Sequence, residues 1–286
     1  MIRYILIILT FFSSALQAQD VDVLKHLKVL SGDEMEGRGF GEKGNFKAQD
    51  YIEEQFKNLD LKPAFGESYK QAFTHKGKKG NNVAVLIPGQ TEKIIVVTAH
   101  LDHLGVKNGK IYNGADDDAS GTAALFSIAN HFKSNSNNHT IVVVAVDAEE
   151  IGSIGAQYML DNFPLAQENI VLNVNLDMIA HNNENTIYAC GTYFYPQLKA
   201  PLEQLDSEVT LKFGHDSPEY KGSDNWTFAS DHRVFHRKKI PFIYFGVEDH
   251  KDYHQPSDIF ENINADFYLD VVDLVIKSIE AYDKAL

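Results

Sequence analysis

The chain has 286 residues, with 26 Lys or Arg against 40 Asp or Glu and a formal net charge of −14. That balance argues against nucleic acid and anionic membrane surfaces as partners. Cys190 is the single cysteine, so no intramolecular disulfide is possible and stability must come from packing or bound metal.

Arg3 is followed by an apolar run over residues 4–12 and then by small and polar residues to Ala18. This pattern predicts a secretory signal peptide, residues 1–18, cleaved after Ala18. The run is too short to span a bilayer. No later segment reaches spanning length, and no Cys lies near the cleavage point to carry a lipid. The expectation is an exported, soluble protein, periplasmic or extracellular, with no membrane partner. Residues 19–286 are about the size of one large α/β domain.

Residues 22–30 read as a short helix and 41–59 as a longer one, with Phe46, Tyr51, Ile52, Phe56 and Leu59 near helical spacing. Residues 76–82 read as a polar, Gly-rich turn. Strands are expected at 83–87 and 94–98, and a helix capped by Ser120 runs to about His131. The continuous apolar run 141–146 has the character of a central strand. A helix at 154–160 and strands at 170–176, 186–189 and 242–245 follow, and an amphipathic helix over 265–285 closes the chain. Alternation of this kind predicts an α/β fold, a three-layer α/β/α sandwich. The polar stretch 206–230 reads as an irregular lid or pocket wall.

Five short segments place His, Asp or Glu beside strand ends or turns. They are AHLDHLG (99–105), GADDDASG (114–121), DAEEIG (147–152), NLDMIA (175–180) and DYHQPSD (252–258). An open α/β sheet gathers ligands outside the carboxyl ends of its strands. Imidazole and carboxylate donors without thiolate suit zinc or another borderline divalent metal. His100 and Asp102, one residue apart at a strand end, point to one side, so His100 can bind a metal while Asp102 orients it. One Asp suffices to cap a helix, and Asp116, Asp117 and Asp118 repel one another, so a metal explains the excess. Glu149 and Glu150 follow a buried strand. One can bind metal while the other takes a proton from metal-bound water. Asp177 ends a strand, and His254 lies in a turn beside Tyr253. His26, His75, His131, His139, His181 and His215 read as surface or structural. His103, His232, His236 and His250 lie near the motifs, and their roles stay open.

With these motifs in this order, and with Leu30-Ser31, Gly37-Arg38 and Ser230-Asp231-His232 around them, the chain resembles the M28 family of co-catalytic zinc peptidases, most of them aminopeptidases. The resemblance implies a mixed, eight-stranded sheet and two zinc ions per chain. It makes His100 and Asp177 ligands of one zinc, Glu150 and His254 ligands of the other, and Asp117 the bridge. Glu149 becomes the general base, Asp102 the residue that orients His100, and Tyr253 a donor to the oxyanion. A cis peptide is implied between Asp117 and Asp118. The implied reaction is hydrolysis of the N-terminal peptide bond by a water between the metals, on peptides with a free N-terminus. Glutaminyl cyclases resemble the same family with one zinc, but tend to carry Trp where this chain has Tyr253. A carboxypeptidase or dipeptidase of the superfamily, and a non-catalytic binding module with a relic site, are the remaining readings. Oligomeric state and the preferred N-terminal residue are not legible.

Overall fold

The computed structural model describes residues 23–286. The expected signal peptide lies outside the described residues. After α1 (residues 23–30) the elements are α2 (Lys43–Asn58), β1 (Lys62–Pro63), β2 (Lys70–His75), β3 (Lys78–Ile87), β4 (Ile94–His100), β5 (Gly105–Lys107), β6 (Lys110–Tyr112), α3 (Gly121–Lys133), β7 (Thr140–Val146), α4 (Ile154–Asp161), β8 (Ile170–Leu176), β9 (Thr186–Cys190), α5 (Lys199–Glu203), β10 (Thr210–Phe213), α6 (His232–Arg237), β11 (Phe242–Gly246) and α7 (Ala265–Ala285). Among the described residues, nine strands form the main sheet. Eight follow the order β1-β3-β7-β4-β8-β11-β9-β10, and β2 pairs with β3 beside β1.

The centre of the sheet, β7-β4-β8-β11, is parallel, while β3 and β9 join it antiparallel. Parallel strands are covered on both faces and so read as unbroken apolar runs. In β4, Ile95, Val97 and Ala99 face a core shared with α2, α3 and α7, while Ile94 and Val96 face a second core with α4 and α6. These two cores are the two sides of the three-layer sandwich. Helix α7 buries Phe267, Tyr268, Val271, Val272, Leu274, Val275 and Ile279 along one stripe. Each such side chain contributes about 1.5–3 kcal/mol through its removal from water.

Three expectations change. Only 76–77 form the turn, and the strand begins at Lys78, because the polar residues after it are satisfied across the fold. The Asn82 amide donates to Gly155 O at 2.9 Å, and the Asn81 backbone N–H donates to Asp147 at 3.1 Å. The stretch 206–230 contains β10, which pairs parallel with β9 from Thr210↔Thr186 to Phe213↔Ala189. Ser120 is not the cap of α3. It is itself helical (φ −64°, ψ −53°), and its hydroxyl donates to Asp116 O at 2.7 Å. Asp118 takes the capping role and accepts the Gly121 N–H at 3.0 Å. Among the histidines read as surface or structural, His139, His181 and His215 are buried.

Candidate metal centre

Register carries the ends of four parallel strands to one edge. His100 at the end of β4 lies opposite Val146 of β7, and Leu176 of β8 lies opposite Phe245 of β11. The residues that follow, 147–150, 177 and 249–254, therefore emerge side by side. They line a cleft of about 600 Å³ with His100, Asp117, Glu149, Glu150, Asp177, Tyr253 and His254 on its walls. Trp226, Phe228 and Ala229, from the stretch expected to be a pocket wall, line it too.

The acidic triplet divides its work. Asp118 accepts backbone N–H groups from His100 at 3.0 Å and Met178 at 3.3 Å, besides Gly121. Asp116 accepts from Ala180 N at 2.6 Å and pairs with His250 Nε2 at 2.9 Å. Asp258 holds the triplet's own backbone, accepting Asp116 N at 2.9 Å and Asp117 N at 3.1 Å. Of the three, the middle carboxylate faces the imidazoles of the cleft. Asp117 Oδ1 is 3.2 Å from His100 Nε2, and its Oδ2 is 3.0 Å from His254 Nε2. The peptide bond between Asp117 and Asp118 is cis.

His100 Nε2 also lies 3.5 Å from Asp177 Oδ1, and His254 Nε2 lies 3.5 Å from Glu150 Oε2. Donor atoms of His100, Asp117 and Asp177 fall within 4.8 Å of one another, and so do those of His103, Asp117 and Glu150. His100 Nδ1 is 3.0 Å from the carbonyl of Asp102, which leaves Nε2 facing the carboxylates, as a metal-binding imidazole requires. The Asp102 carboxylate lies further off, 3.8 Å from Nδ1. It accepts the backbone N–H groups of Glu149 at 2.9 Å and Glu150 at 3.3 Å instead. Asp102 thus couples the β4 end to the β7 end.

Charge in this cleft favours a cation. Burial works against a charged His100, yet Asp177 and the surrounding carboxylates hold its pKa well above the usual value. His254 is raised in the same way to about 10, against burial, by Asp117 and Glu150. Burial and the Asp117 charge push Glu150 up, but His103 and His254 bring it down to about 2. Glu149 differs. Burial first and then Asp231 push its carboxyl well above the ordinary range, with Arg233 opposing. A group with that tendency is suited to accept a proton. Glu149 Oε1 receives Arg233 Nη2 at 2.5 Å and the Ser153 hydroxyl at 3.2 Å. The Tyr253 ring stacks on His254 at 3.9 Å, and burial, with Asp117 next, raises its phenol so that it stays a donor.

Buried donor atoms without partners complete the fit. His103 Nδ1 and Nε2 and Glu150 Oε1 make no hydrogen bond among the described residues. Such atoms are costly unless something binds them, and imidazole and carboxylate donors at this spacing suit zinc. His181, His250 and Asp252 also cluster. There the two rings stack at 3.9 Å and 15°, so their in-plane lone pairs run parallel and do not converge on one ion. Of the other open histidines, His232 is buried against Phe242 and Tyr244, and His236 packs with Tyr195 and Phe228.

Sequence reading missed three residues. Arg233 is one. Asp147 is another: it accepts from Asn45 at 2.8 Å and Gln49 at 3.0 Å and anchors the β7 end. Arg38 stood out only as part of a motif. It is 1 % exposed and donates to the carbonyls of Leu101 at 2.9 Å, Leu30 at 2.8 Å, Asn113 at 2.5 Å and Gly114 at 2.8 Å. It thereby locks the loop after β4 to the loop before the triplet. Burial of so large a cation was the available signal, and a single sequence does not display it.

The chain is similar to aminopeptidase YwaD of Bacillus subtilis, at 28% identity over 65% of this chain and 40% of that protein. Its fold matches the LapA aminopeptidase of Legionella pneumophila, with a TM-score of 0.73 at 19% identity over 95% of this chain and 74% of that one. It also matches a glutaminyl cyclase of Fimbriiglobus ruber, with a TM-score of 0.70 at 18% identity over 92% of this chain and 95% of that one. The chain spans about half the length of the curated relatives it matches. The model of peptidase family M28 matches residues 82–279, so the chain belongs to that family.

Proposed function

We propose that the chain is an exported di-zinc aminopeptidase that removes the N-terminal residue from peptides. The observation that carries this reading is the pair of donor clusters sharing Asp117, with His100 and Asp177 in one and His103 and Glu150 in the other, and with His254 3.0 Å from Asp117 and 3.5 Å from Glu150. His100 and Asp177 would hold one zinc, Glu150 and His254 the other, and Asp117 would bridge them. Zinc, when bound, polarises the scissile carbonyl and makes water more acidic. Glu149 removes the proton from the attacking water and returns it to the leaving amine. Asp102 sets the backbone of Glu149 and Glu150, and Tyr253 donates its phenol to the developing oxyanion. The carboxylates around the cleft, Asp249 at its wall included, suit a substrate's α-ammonium group. The charge pattern of residues 1–18 supports export, and no described helix is long and apolar enough to cross a membrane.

A second reading is glutaminyl cyclisation on one zinc, favoured by the full-length match to a cyclase fold. Two donor clusters and Tyr253 in place of Trp support the peptidase instead. One experiment separates them. Zinc content by mass spectrometry is combined with a panel of aminoacyl-p-nitroanilides and a glutaminyl-peptide cyclisation assay. Two zinc ions and anilide hydrolysis are expected. One zinc with cyclisation would replace the reading, and no metal with neither activity would leave a binding module.

A further inference from the structure

We propose that His103 is a fourth protein ligand of the second metal, so that one metal of the pair is enclosed by protein and the other is left open. This rests on the two-metal reading above.

His103 is 2 % exposed, and neither ring nitrogen has a hydrogen-bond partner among the described residues. Its Nδ1 is 2.8 Å from Glu150 Oε1 and 3.6 Å from Asp117 Oδ2. The first is an ion-pair distance, yet neither atom makes a hydrogen bond. Two lone pairs that stand close without sharing a proton are what a common cation would reconcile. Four ligands about 2.0–2.1 Å from a tetrahedral zinc stand about 3.4 Å apart. His103 and His254 stand 3.6 and 3.0 Å from Asp117 Oδ2, and 2.8 and 3.5 Å from the two different oxygens of Glu150, Oε1 and Oε2; these distances scatter around that value. The two rings lie 5.8 Å apart at 51°, so their lone pairs are free to converge, unlike those of the stacked His181 and His250.

The chain also builds a seat for this ring. Gly39 and His103 form a β-bridge. At Gly114 a Cβ would come within 2.6 Å of His103 Cγ and Cδ2, and φ there is +55°. A side chain at Gly114 would displace the imidazole. His103 approaches from a cavity lined by Lys76, Lys78 and Lys107, and not from the cleft that His254 lines. A donor from that direction closes the coordination shell on the side away from substrate. The second metal then has Asp117, Glu150, His103 and His254, the closed shell typical of structural zinc. The first has His100, Asp117 and Asp177, three ligands and an open position.

The test uses full-length mature protein stripped with chelator and titrated with zinc against a chromophoric competitor. Wild type is expected to show two affinities. His103→Ala should weaken one of them by about 100-fold or more and leave the other within threefold, a loss at or beyond what outer residues of metal sites cause. His103→Cys loaded with Co²⁺ should show a thiolate-to-cobalt charge-transfer band absent from wild type. Urea melts of the metal-free variants that match wild type establish that the fold is kept. Unchanged affinities in His103→Ala, or no thiolate band in His103→Cys, would overturn the assignment. A wild type that binds a single metal would sink the two-metal reading, while the thiolate band would still decide whether position 103 touches it.

Discussion

Arg233 donates to the carboxylate of Glu149 at 2.5 Å, with Ser153 bridging the pair through 2.8 and 3.2 Å contacts. An opposite charge favours the ionised form of a carboxyl, and Arg233 opposes the burial that raises Glu149. Arg233→Met should therefore raise the pKa of the base. The acid limb of the kcat/KM profile of the zinc-loaded enzyme should move to higher pH, with the plateau little changed. A limb that stays in place would show that another group sets it.

Glu149→Gln should lower kcat by about two or more decades, the usual contribution of a positioned general base. Metal content should stay close to wild type, because Glu149 faces Arg233 and Ser153 while Glu150 faces the imidazoles. Elemental analysis beside steady-state kinetics checks both halves. Loss of zinc in Glu149→Gln with retention in Glu150→Gln would reverse the two roles.

Tyr253→Phe should lower kcat more than it raises KM. A donor aimed at charge that appears only in the transition state affects the barrier and not ground-state binding. Removing one such donor costs roughly 3 kcal/mol, about two orders of magnitude in rate. The Tyr253 ring already stacks on His254, so the variant keeps its packing and isolates the hydroxyl. An unchanged kcat would remove Tyr253 from the mechanism.

Metal-free protein should lose stability between about pH 5 and 8. Burial pushes the carboxyls of Asp147, Asp231 and Asp258 up to about 8, 7 and 6. A carboxyl whose folded pKa lies above its unfolded value of about 3.9 favours the native state fully only below that value. The advantage disappears as pH rises through the folded pKa. Bound zinc offsets the charge, so the loaded protein should decline less. Urea midpoints with chelator and with zinc across this range would show it. A metal-free midpoint that rises with pH would contradict the assignment.

Where burial on both faces dictated composition, the fold was readable. The apolar runs of β7 and β8 could be little else than inner parallel strands, and their ends located the donor residues. Legibility failed where polar side chains are satisfied at a distance. Lys78 to Asn82 looked like turn because their partners, Asp147 and Gly155, lie 66 and 73 residues away. In the same way Arg233 meets Glu149 across 84 residues. His103 stayed open because its neighbours are set by which strands adjoin, and local spacing does not contain that. The acidic triplet shows both sides. Its excess charge was visible, but the use of Asp116 and Asp118 on backbone N–H groups was not.

The family match begins at residue 82, yet Arg38 stands well before it. A fragment starting there would keep the whole parallel centre and all of the proposed donors. It would lack the one guanidinium that satisfies Leu101, Asn113 and Gly114 together. Those carbonyls flank His100 and the triplet; Asp118 would still accept the His100 N–H, but the two flanking loops would lose their shared donor. The portable unit is therefore longer than the recognisable one. Trimming from the amino end past Arg38 should weaken metal capture, so Arg38 behaves as a keystone for a centre to which it gives no ligand.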